Sequence, residues 1–595
     1  MKAHKIIYTS ILFIISIPIF AQVNISEEIE IEELKLHMNY LASDELEGRL
    51  PGTEGGKKAA EYIREQLKSL NVNLLGENGF QFFDITKGIE PGENNYLKLE
   101  TGDAEFGKDY MPLAFSGNGE ISTSAVFLGY GFNFKDDSLS WNDYELVDVK
   151  NKWAVVLRGA PDVSHNSKYS SQSSLRKKIL RAKDAGASGI IFVSGEKFDE
   201  SDELFDLDYA KREPGIDFPA IQIKRSIADN LLKKFDVSVS ILESQLNENL
   251  MPNSFEIDET ISAKINLIKV YAKTENVIAL LEGTDPILKN EYIVLGAHFD
   301  HLGYGGQGSG SRRPDTSAIH NGADDNASGT SAIIEIFENL AVNKNKLKRS
   351  IIFSAFGAEE MGLLGSKYFV DNPPVDLKKI KFMLNLDMVG RMKEGKNEFS
   401  ASGTGTGIGI PEMIDIYAEE MAVTIAKSSE GYGPSDHASF YANDIPVMFL
   451  YTAMHEDYHT PSDKSDLINF KGQKSVSDFA YKIIFDIANR EKNLVFQEAG
   501  PKERQTGARS YKVTLGIMPD VAGVVENGLR ADAVIPGRPA AIAGMQKGDI
   551  IIGMEGKPVK DIYEYMNRLS DFKVGQRISV EVQRGDEKLI LIVEL

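Results

Sequence analysis

From Asn276 onward, uninterrupted apolar runs alternate with longer stretches of helical periodicity. The runs are "NVIALLEG", "YIVLGAHFD", "SIIFSAF", "FMLNLDMVG" and "PVMFLY", and "GTSAIIEIFENLAV" falls between two of them. Strands apolar at every position are buried on both faces. The pattern therefore predicts an α/β fold, a mixed and mostly parallel sheet sandwiched by helices. Upstream, residues after Ile31 show helical spacing twice around a Gly/Pro-rich turn. The helix predicted after Thr53 carries Ala59, Ala60, Ile63 and Leu67 on one face.

The texture changes between about 105 and 258. Here "WAVVLRG" and "GIIFVS" read as buried strands flanking a basic helix, "SLRKKILRAKDAGA", whose charges suit a solvated face. A polar stretch, "EAGPKERQTGARS", reads as a linker over 498–510, and short strands follow. The expected organisation is one unit from 23–104 and 259–497, an insertion at 105–258, and a separate domain at 511–595. The glycine-rich "GYGGQGSGSRR" lacks the Lys-Ser/Thr of a phosphate-binding loop and reads as a flexible loop.

Composition narrows the partners. The 595 residues carry a net charge of −22 with no basic block, so neither nucleic acid nor an anionic membrane surface is an expected partner. The chain has no cysteine, which excludes disulfides, a thiol nucleophile and thiolate–metal sites. Lys2 and Lys5 precede an apolar run from Ile6 to Phe20, with Ala21 as a cleavage position. That run is shorter than the ~20 residues of a membrane span, so residues 1–21 read as a removable signal peptide rather than a retained anchor. The mature chain is expected outside the cytoplasm, periplasmic or secreted.

The chemistry sits at the predicted strand ends. "YIVLGAHFD" ends with His298 and Asp300, and "HNGADDNASG" carries Asp324 and Asp325. "FSAFGAEE" supplies Glu359 and Glu360, "MLNLDM" supplies Asp387, and "EDYHTPSD" supplies His459. In open α/β sheets, ligands bind beyond the carboxyl ends of the strands, so these groups are expected to converge. Any one pair alone would pass as a solvated doublet. Carboxylates and imidazoles without thiolates suit zinc or a similar divalent ion, and carboxylates can bridge two ions. Asp300, two residues beyond His298, is of the right type to orient that imidazole.

These motifs, His298-x-Asp300, "GADDNASG", "AEEMGLLGS", "NLDM" and "YHTPSD", together with "YLASDELEGRLPGT", resemble the co-catalytic zinc aminopeptidases of peptidase family M28. The resemblance covers roughly 30–105 and 260–495 and implies the zinc exopeptidase fold. It implies two Zn2+ per chain, with Asp325 bridging them, His298 and Asp387 completing one site, and Glu360 and His459 the other. Glu359 would be the general base, and the peptide bond after Asp325 would be cis. Tyr432, in "GYGPSDHASF", matches a tyrosine facing the oxyanion, although glycine and proline replace cysteines around it. His301, His320, His437 and His455 have no metal counterpart and are expected in supporting roles.

The insertion resembles a protease-associated (PA) domain through "FLGYGFN", "DYELVDVKNKWAVVLRG" and "AKDAGASGIIFVS", implying a lid or gating role. The C-terminal part is similar to a PDZ domain, with "LGIMPD" in place of its carboxylate-binding loop. It would capture peptide C-termini or serve packing within the chain. The activity implied is hydrolysis of N-terminal residues from peptides by a hydroxide held between the metals. Alternatives within the resemblance are a carboxypeptidase, a single-zinc glutaminyl cyclase and a catalytically silent peptide-binding protein.

Overall fold

The computed structural model describes residues 28–595 except 136–138, 162–167, 170–171, 208–214, 307, 453, 501–512, 520–524, 526–527, 536 and 561. The expected signal peptide and most of the expected linker lie outside the described residues. No helix among the described residues is long and apolar enough to cross a membrane.

A nine-stranded sheet forms the framework of the first unit. Its main strands are β1 (Phe80–Pro91), β2 (Leu267–Leu281), β3 (Tyr292–His298), β4 (Ser350–Phe356), β5 (Ile380–Leu386), β6 (Glu398–Ser402), β7 (Thr424–Lys427) and β8 (Val447–Tyr451). Side by side they run β2-β4-β3-β5-β8-β6-β7, with β1 and the short strand Asn73–Leu74 paired to β2. The central strands β4, β3, β5 and β8 are parallel; β2 and β6 run against their inner neighbours. The apolar runs are continuous because alternate residues feed two cores. Ile293, Leu295 and Ala297 face one layer and Val294 the other.

The first layer holds α1 (Ile31–Leu41), α2 (Glu54–Ser69), α4 (Gly329–Val342) and α6 (Phe470–Asn489), with α3 (Leu175–Asp184) belonging to the inserted domain. The opposite layer is thinner, built on α5 (Leu364–Asp371) and the helix His437–Tyr441. The helix expected after Thr53 is α2. Thr53 caps it, its side chain accepting the Gly56 N–H, and Ala59, Ala60, Ile63 and Leu67 are fully buried.

The inserted domain has an eight-stranded sheet of its own. Its central strands, Gly119–Leu128, Trp153–Leu157, Gly189–Val193 and Ala220–Ile223, are parallel. Its extent differs from the 105–258 read from the sequence. Strands Tyr96–Leu99 and Gly102–Ala104, and the whole of Ser254–Ile265, pair within this sheet. The Ser254–Ile265 strand continues past Asn266 as β2, so one extended segment serves both sheets. The crossing point is laced by asparagines: the Asn266 N–H donates to Asn95 Oδ1 (2.7 Å) and the Leu267 N–H to Asn118 Oδ1 (2.8 Å).

The C-terminal domain is a six-stranded antiparallel sheet with α7 (Ile562–Ser570) packed on it. It docks on the inserted domain through charge. Lys183 Nζ of α3 lies 2.9 Å from Glu564 of α7, and Arg568 of α7 makes a two-pronged contact with Asp184 of α3. Arg568 and Glu564 are 1% and 2% exposed, so this is a buried ion network. The basic helix is therefore not the solvated face expected of it. Lys178 on the same helix is also fully buried, donating to the carbonyls of Leu157 and Gly159. The charges have partners from distant parts of the chain, which their local spacing does not reveal.

Under α4 a small titratable cluster is sealed from water. His37 Nδ1 of α1 lies 2.7 Å from the Tyr62 hydroxyl of α2, and His37 Nε2 lies 3.0 Å from Glu335 of α4. Burial pulls His37 down to about 4 and pushes Glu335 up to about 7; burial and then Glu335 raise Glu33 to about 7. An acid raised by folding stabilises the native state fully below its unfolded pKa and loses that contribution as pH rises through its folded pKa. Glu335 and Glu33 therefore contribute a decline in stability between about pH 4.5 and 7, partly offset by His37, which folding holds neutral and which contributes a rise between about pH 4 and 6.5. Glu335→Gln should flatten part of that slope in calorimetry, and an unchanged slope would rule this cluster out as a contributor.

Candidate metal centre

Four parallel strands end on one edge of the main sheet, and each delivers a group there. His298 is the last residue of β3, Glu359 and Glu360 follow β4, Asp387 follows β5 directly, and His459 lies on the loop beyond β8. Asp325 comes from the loop between β3 and α4, where the Asp325–Asn326 peptide is cis.

All five expected ligands converge. His298 Nε2 lies 3.3 Å from Asp325 Oδ1 and 3.4 Å from Asp387 Oδ1. His459 Nε2 lies 3.0 Å from Asp325 Oδ2 and 3.2 Å from Glu360 Oε2. Atoms bound tetrahedrally about 2.0–2.1 Å from one zinc ion stand about 3.3–3.4 Å from each other, close to these separations. Asp325 thus offers one oxygen to each of two separate imidazoles. The buried oxygens Glu360 Oε1 and Asp387 Oδ1 face ring nitrogens, His301 Nδ1 at 2.8 Å and His298 Nε2 at 3.4 Å, and imidazoles gathered against carboxylates are a donor set suited to a divalent ion. Two groupings, His298–Glu359–Asp387 and His301–Asp325–Glu360, each have ligand atoms close enough to share an ion.

The loops are held by groups that bind backbone. Asp300 was expected to orient His298 with its side chain. Its Oδ1 lies 3.7 Å from His298 Nδ1, and the same carboxylate also accepts the backbone N–H of Glu359 (2.9 Å) and of Glu360 (3.3 Å), while its carbonyl oxygen lies 3.2 Å from His298 Nδ1. One residue therefore aligns the imidazole and the glutamate turn together. Asp463, in the "YHTPSD" motif, plays the same part for the other loop, accepting the N–H groups of Asp324 (2.9 Å) and Asp325 (3.1 Å). Arg49 is buried and donates to the carbonyls of Phe299, Asn321 and Gly322, clamping the β3 end to the aspartate loop. Gly322 has φ 55, and a Cβ there would stand 2.1 Å from the Asp325 carbonyl oxygen, so the loop admits only glycine. Neither Asp463 nor Arg49 stood out in the sequence; Asp463 was discoverable as the acid closing the histidine motif.

Electrostatics separates the two adjacent glutamates. Burial, reinforced by Glu360, Asp436 and Asp387, drives Glu359 well above the ordinary carboxylate range despite His298. For Glu360, burial and Asp325 also push upward, but His301 and His459 prevail and hold it near about 2. Asp325 likewise falls well below its usual value, the imidazoles of His298 and His459 overcoming burial. One glutamate thus favours carrying a proton and its neighbour favours charge, the division expected when two carboxylates have different tasks.

The remaining histidines differ in placement. His301 is fully buried with Nδ1 2.8 Å from Glu360, closer to the centre than its expected supporting role required. His455 Nε2 lies 3.3 Å from Asp324, His320 contacts Ser311 and the Ala318 carbonyl, and His437 stacks on Phe449 at 4.5 Å. The glycine-rich loop is tied to the centre: His459 Nδ1 lies 3.0 Å from the Gly310 carbonyl oxygen, and the Arg312 N–H donates to the His459 carbonyl. A cleft of about 370 Å³ opens over the ligands, walled by Met388, Phe449, Tyr451, Met454 and Tyr458, with Tyr432 on its rim.

Residues 276–484 match the model of Peptidase family M28, residues 113–231 that of the PA domain and residues 513–595 that of the PDZ domain. A probable leucine aminopeptidase of Trichophyton verrucosum is 34% identical over 194 residues, 32% of this chain and 48% of that protein. The chain thus spans about half the length of this curated relative. Aminopeptidase YwaD of Bacillus subtilis is 24% identical over 462 residues, 76% of this chain and 83% of the relative. Among solved structures, an aminopeptidase from Aneurinibacillus sp. strain AM-1 aligns over 80% of this chain and 97% of its own, with 22% identity and a TM-score of 0.46.

Asp300→Asn keeps the size of the side chain but turns an amide N–H toward one of two backbone donors. Residues that orient ligands typically contribute 10–100-fold to metal affinity or activity. Zinc affinity measured by competition with a chelator should fall by about that factor, with all five ligands intact. Unchanged affinity would show that the glutamate turn does not need Asp300.

Proposed function

We propose that this chain, with its M28 peptidase, PA and PDZ domains, is a zinc aminopeptidase that removes N-terminal residues from peptides. The observation that carries the reading is Asp325, whose two oxygens face different imidazoles while Glu359 stands beside the pair, its Oε2 4.0 Å from His298 Nε2. His298, Asp325 and Asp387 would hold one ion, and His459, Asp325 and Glu360 the second. Ions bound there supply Lewis acidity for the scissile carbonyl and make water acidic enough to attack at neutral pH.

The residues around them divide the remaining work. Glu359, its Oε2 4.0 Å from His298 Nε2, takes the proton from the attacking water and returns it to the leaving amine. Asp300 fixes Glu359 by its backbone. Tyr432, on the cleft rim, donates a hydrogen bond to the oxygen that becomes negative in the transition state. The apolar wall of Met388, Phe449 and Tyr451 receives the side chain of the residue removed. A silent binding protein on the same scaffold would be expected to lack one of these groups, and the sequence carries all five.

The two glutamates give the decisive comparison. Glu359→Gln removes a proton acceptor but no proposed ligand, so two zinc ions per chain should remain while kcat falls by ~10²–10⁴ with KM little changed. Glu360→Gln should lose one ion, or bind it far more weakly, and melt at lower temperature as ligand stabilisation disappears. Metal content by mass spectrometry beside kcat decides it. Loss of metal in the first variant and its retention in the second would reverse the assignment.

We also infer export, on the charged start, apolar run and Ala21 of the N-terminal segment. Protein from an exporting host should begin near Gln22. A mature N-terminus that retains residues 1–21 would defeat this.

A further inference from the structure

Where the C-terminal domain meets the peptidase domain, the two enclose a second cavity of about 260 Å³. It is lined on the peptidase side by Gly362, Leu363 and Lys367, and on the other by Arg530 and Lys547. Tyr432 lines both this cavity and the cleft over the proposed metal ligands, so the two adjoin at that side chain. Gly362 belongs to the turn that carries Glu359, so the cavity begins where the proposed proton acceptor is held.

The lining is unusual for this chain. Three cations face the cavity against one carboxylate, Asp371, in a protein whose net charge is −22. The cations come from two domains: Lys547 Nζ reaches Asn443 Oδ1 across the seam at 3.0 Å, and Arg530 lies 3.8 Å from Asp371. Their position is fixed from outside, because the ion network between α3 and α7 holds the C-terminal domain in place. The metal cleft has an apolar wall on one side of Tyr432; this cavity, lined largely by apolar residues such as Val370, Ala438, Ala442 and Ala531, brings Lys367, Arg530 and Lys547 to the other. Its volume, just below the about 300–1,000 Å³ of small-ligand pockets, suits the end of a short chain rather than a long one.

We propose that this cavity is a subsite for the free C-terminal carboxylate of short peptide substrates, with Arg530 and Lys547 as its specificity-determining residues. The inference rests on the aminopeptidase reading and adds a preference: short peptides ending in a carboxylate, bound with the residue to be removed in the metal cleft. The C-terminal domain then completes the substrate site, which differs from capture of distant tails in a groove of its own.

The test compares Leu-Gly-Gly with its C-terminal amide, and Leu-p-nitroanilide, on the full-length zinc-loaded protein. A charge-assisted contact of ordinary strength makes kcat/KM for the acid about ten-fold higher than for the amide. Arg530→Ala should reduce that ratio and Lys547→Glu should abolish or reverse it. The ratio is internal to each variant, so a partial loss of folded protein does not mimic the effect. Equal cleavage of acid and amide by the parent protein, or an unchanged ratio in both variants, overturns the subsite while leaving the aminopeptidase reading standing. No cleavage of any of the three substrates overturns both.

Discussion

Carboxylates cannot be gathered in a dry interior without a compensating positive charge, and this requirement shapes the centre of the molecule. Asp300, Asp324, Asp325, Asp387, Asp436 and Asp463 are all buried around the two glutamates. The nearby protein cations are few: Arg49, kept charged although burial lowers it to about 10, the edge of Arg391, and the imidazoles. The sheet serves this arrangement, because only parallel strands ending together can bring so many separate segments to one point. The supporting acids serve it too. Asp300 and Asp463 spend their oxygens on backbone N–H groups, which leaves the charge of Asp325 and Glu360 turned inward.

Much of this centre was legible before any coordinates. His298, Glu359, Glu360 and Asp387 close apolar runs and Asp325 and His459 follow in the loops, so the sheet-edge rule expects them to meet, while their roles came from the resemblance to peptidase family M28. What escaped were residues whose work depends on partners far away in the chain. Arg49 reads as an ordinary surface arginine until it is seen binding carbonyls near 299 and 322. Asp300 was rightly associated with His298, but its carboxylate also holds the glutamate turn, a contact that no local pattern encodes. The charge run on α3 looked solvated because Glu564 and Arg568 lie almost 400 residues downstream. The edges of the inserted domain moved for the same reason: Tyr96–Leu99 gains its strand character only by pairing with Ser254–Ile265.

The narrow crossing between the main sheet and the inserted domain bears on how the chain assembles. β1 pairs along its whole length with residues 267–277 of β2, placing Phe80 opposite Val277, yet the entire inserted domain lies between them in sequence. For an unfolded insertion, bringing those strands together means closing a very long loop, with the entropy loss and slow search that non-local pairing entails. Once the inserted domain has folded, its two ends emerge side by side at Asn95 and Asn266, and the loop is effectively a few residues long. A folded insertion thus lowers the entropy cost of pairing β1 with β2, the strand that lies beside β4 in the sheet whose edge gathers the candidate metal centre.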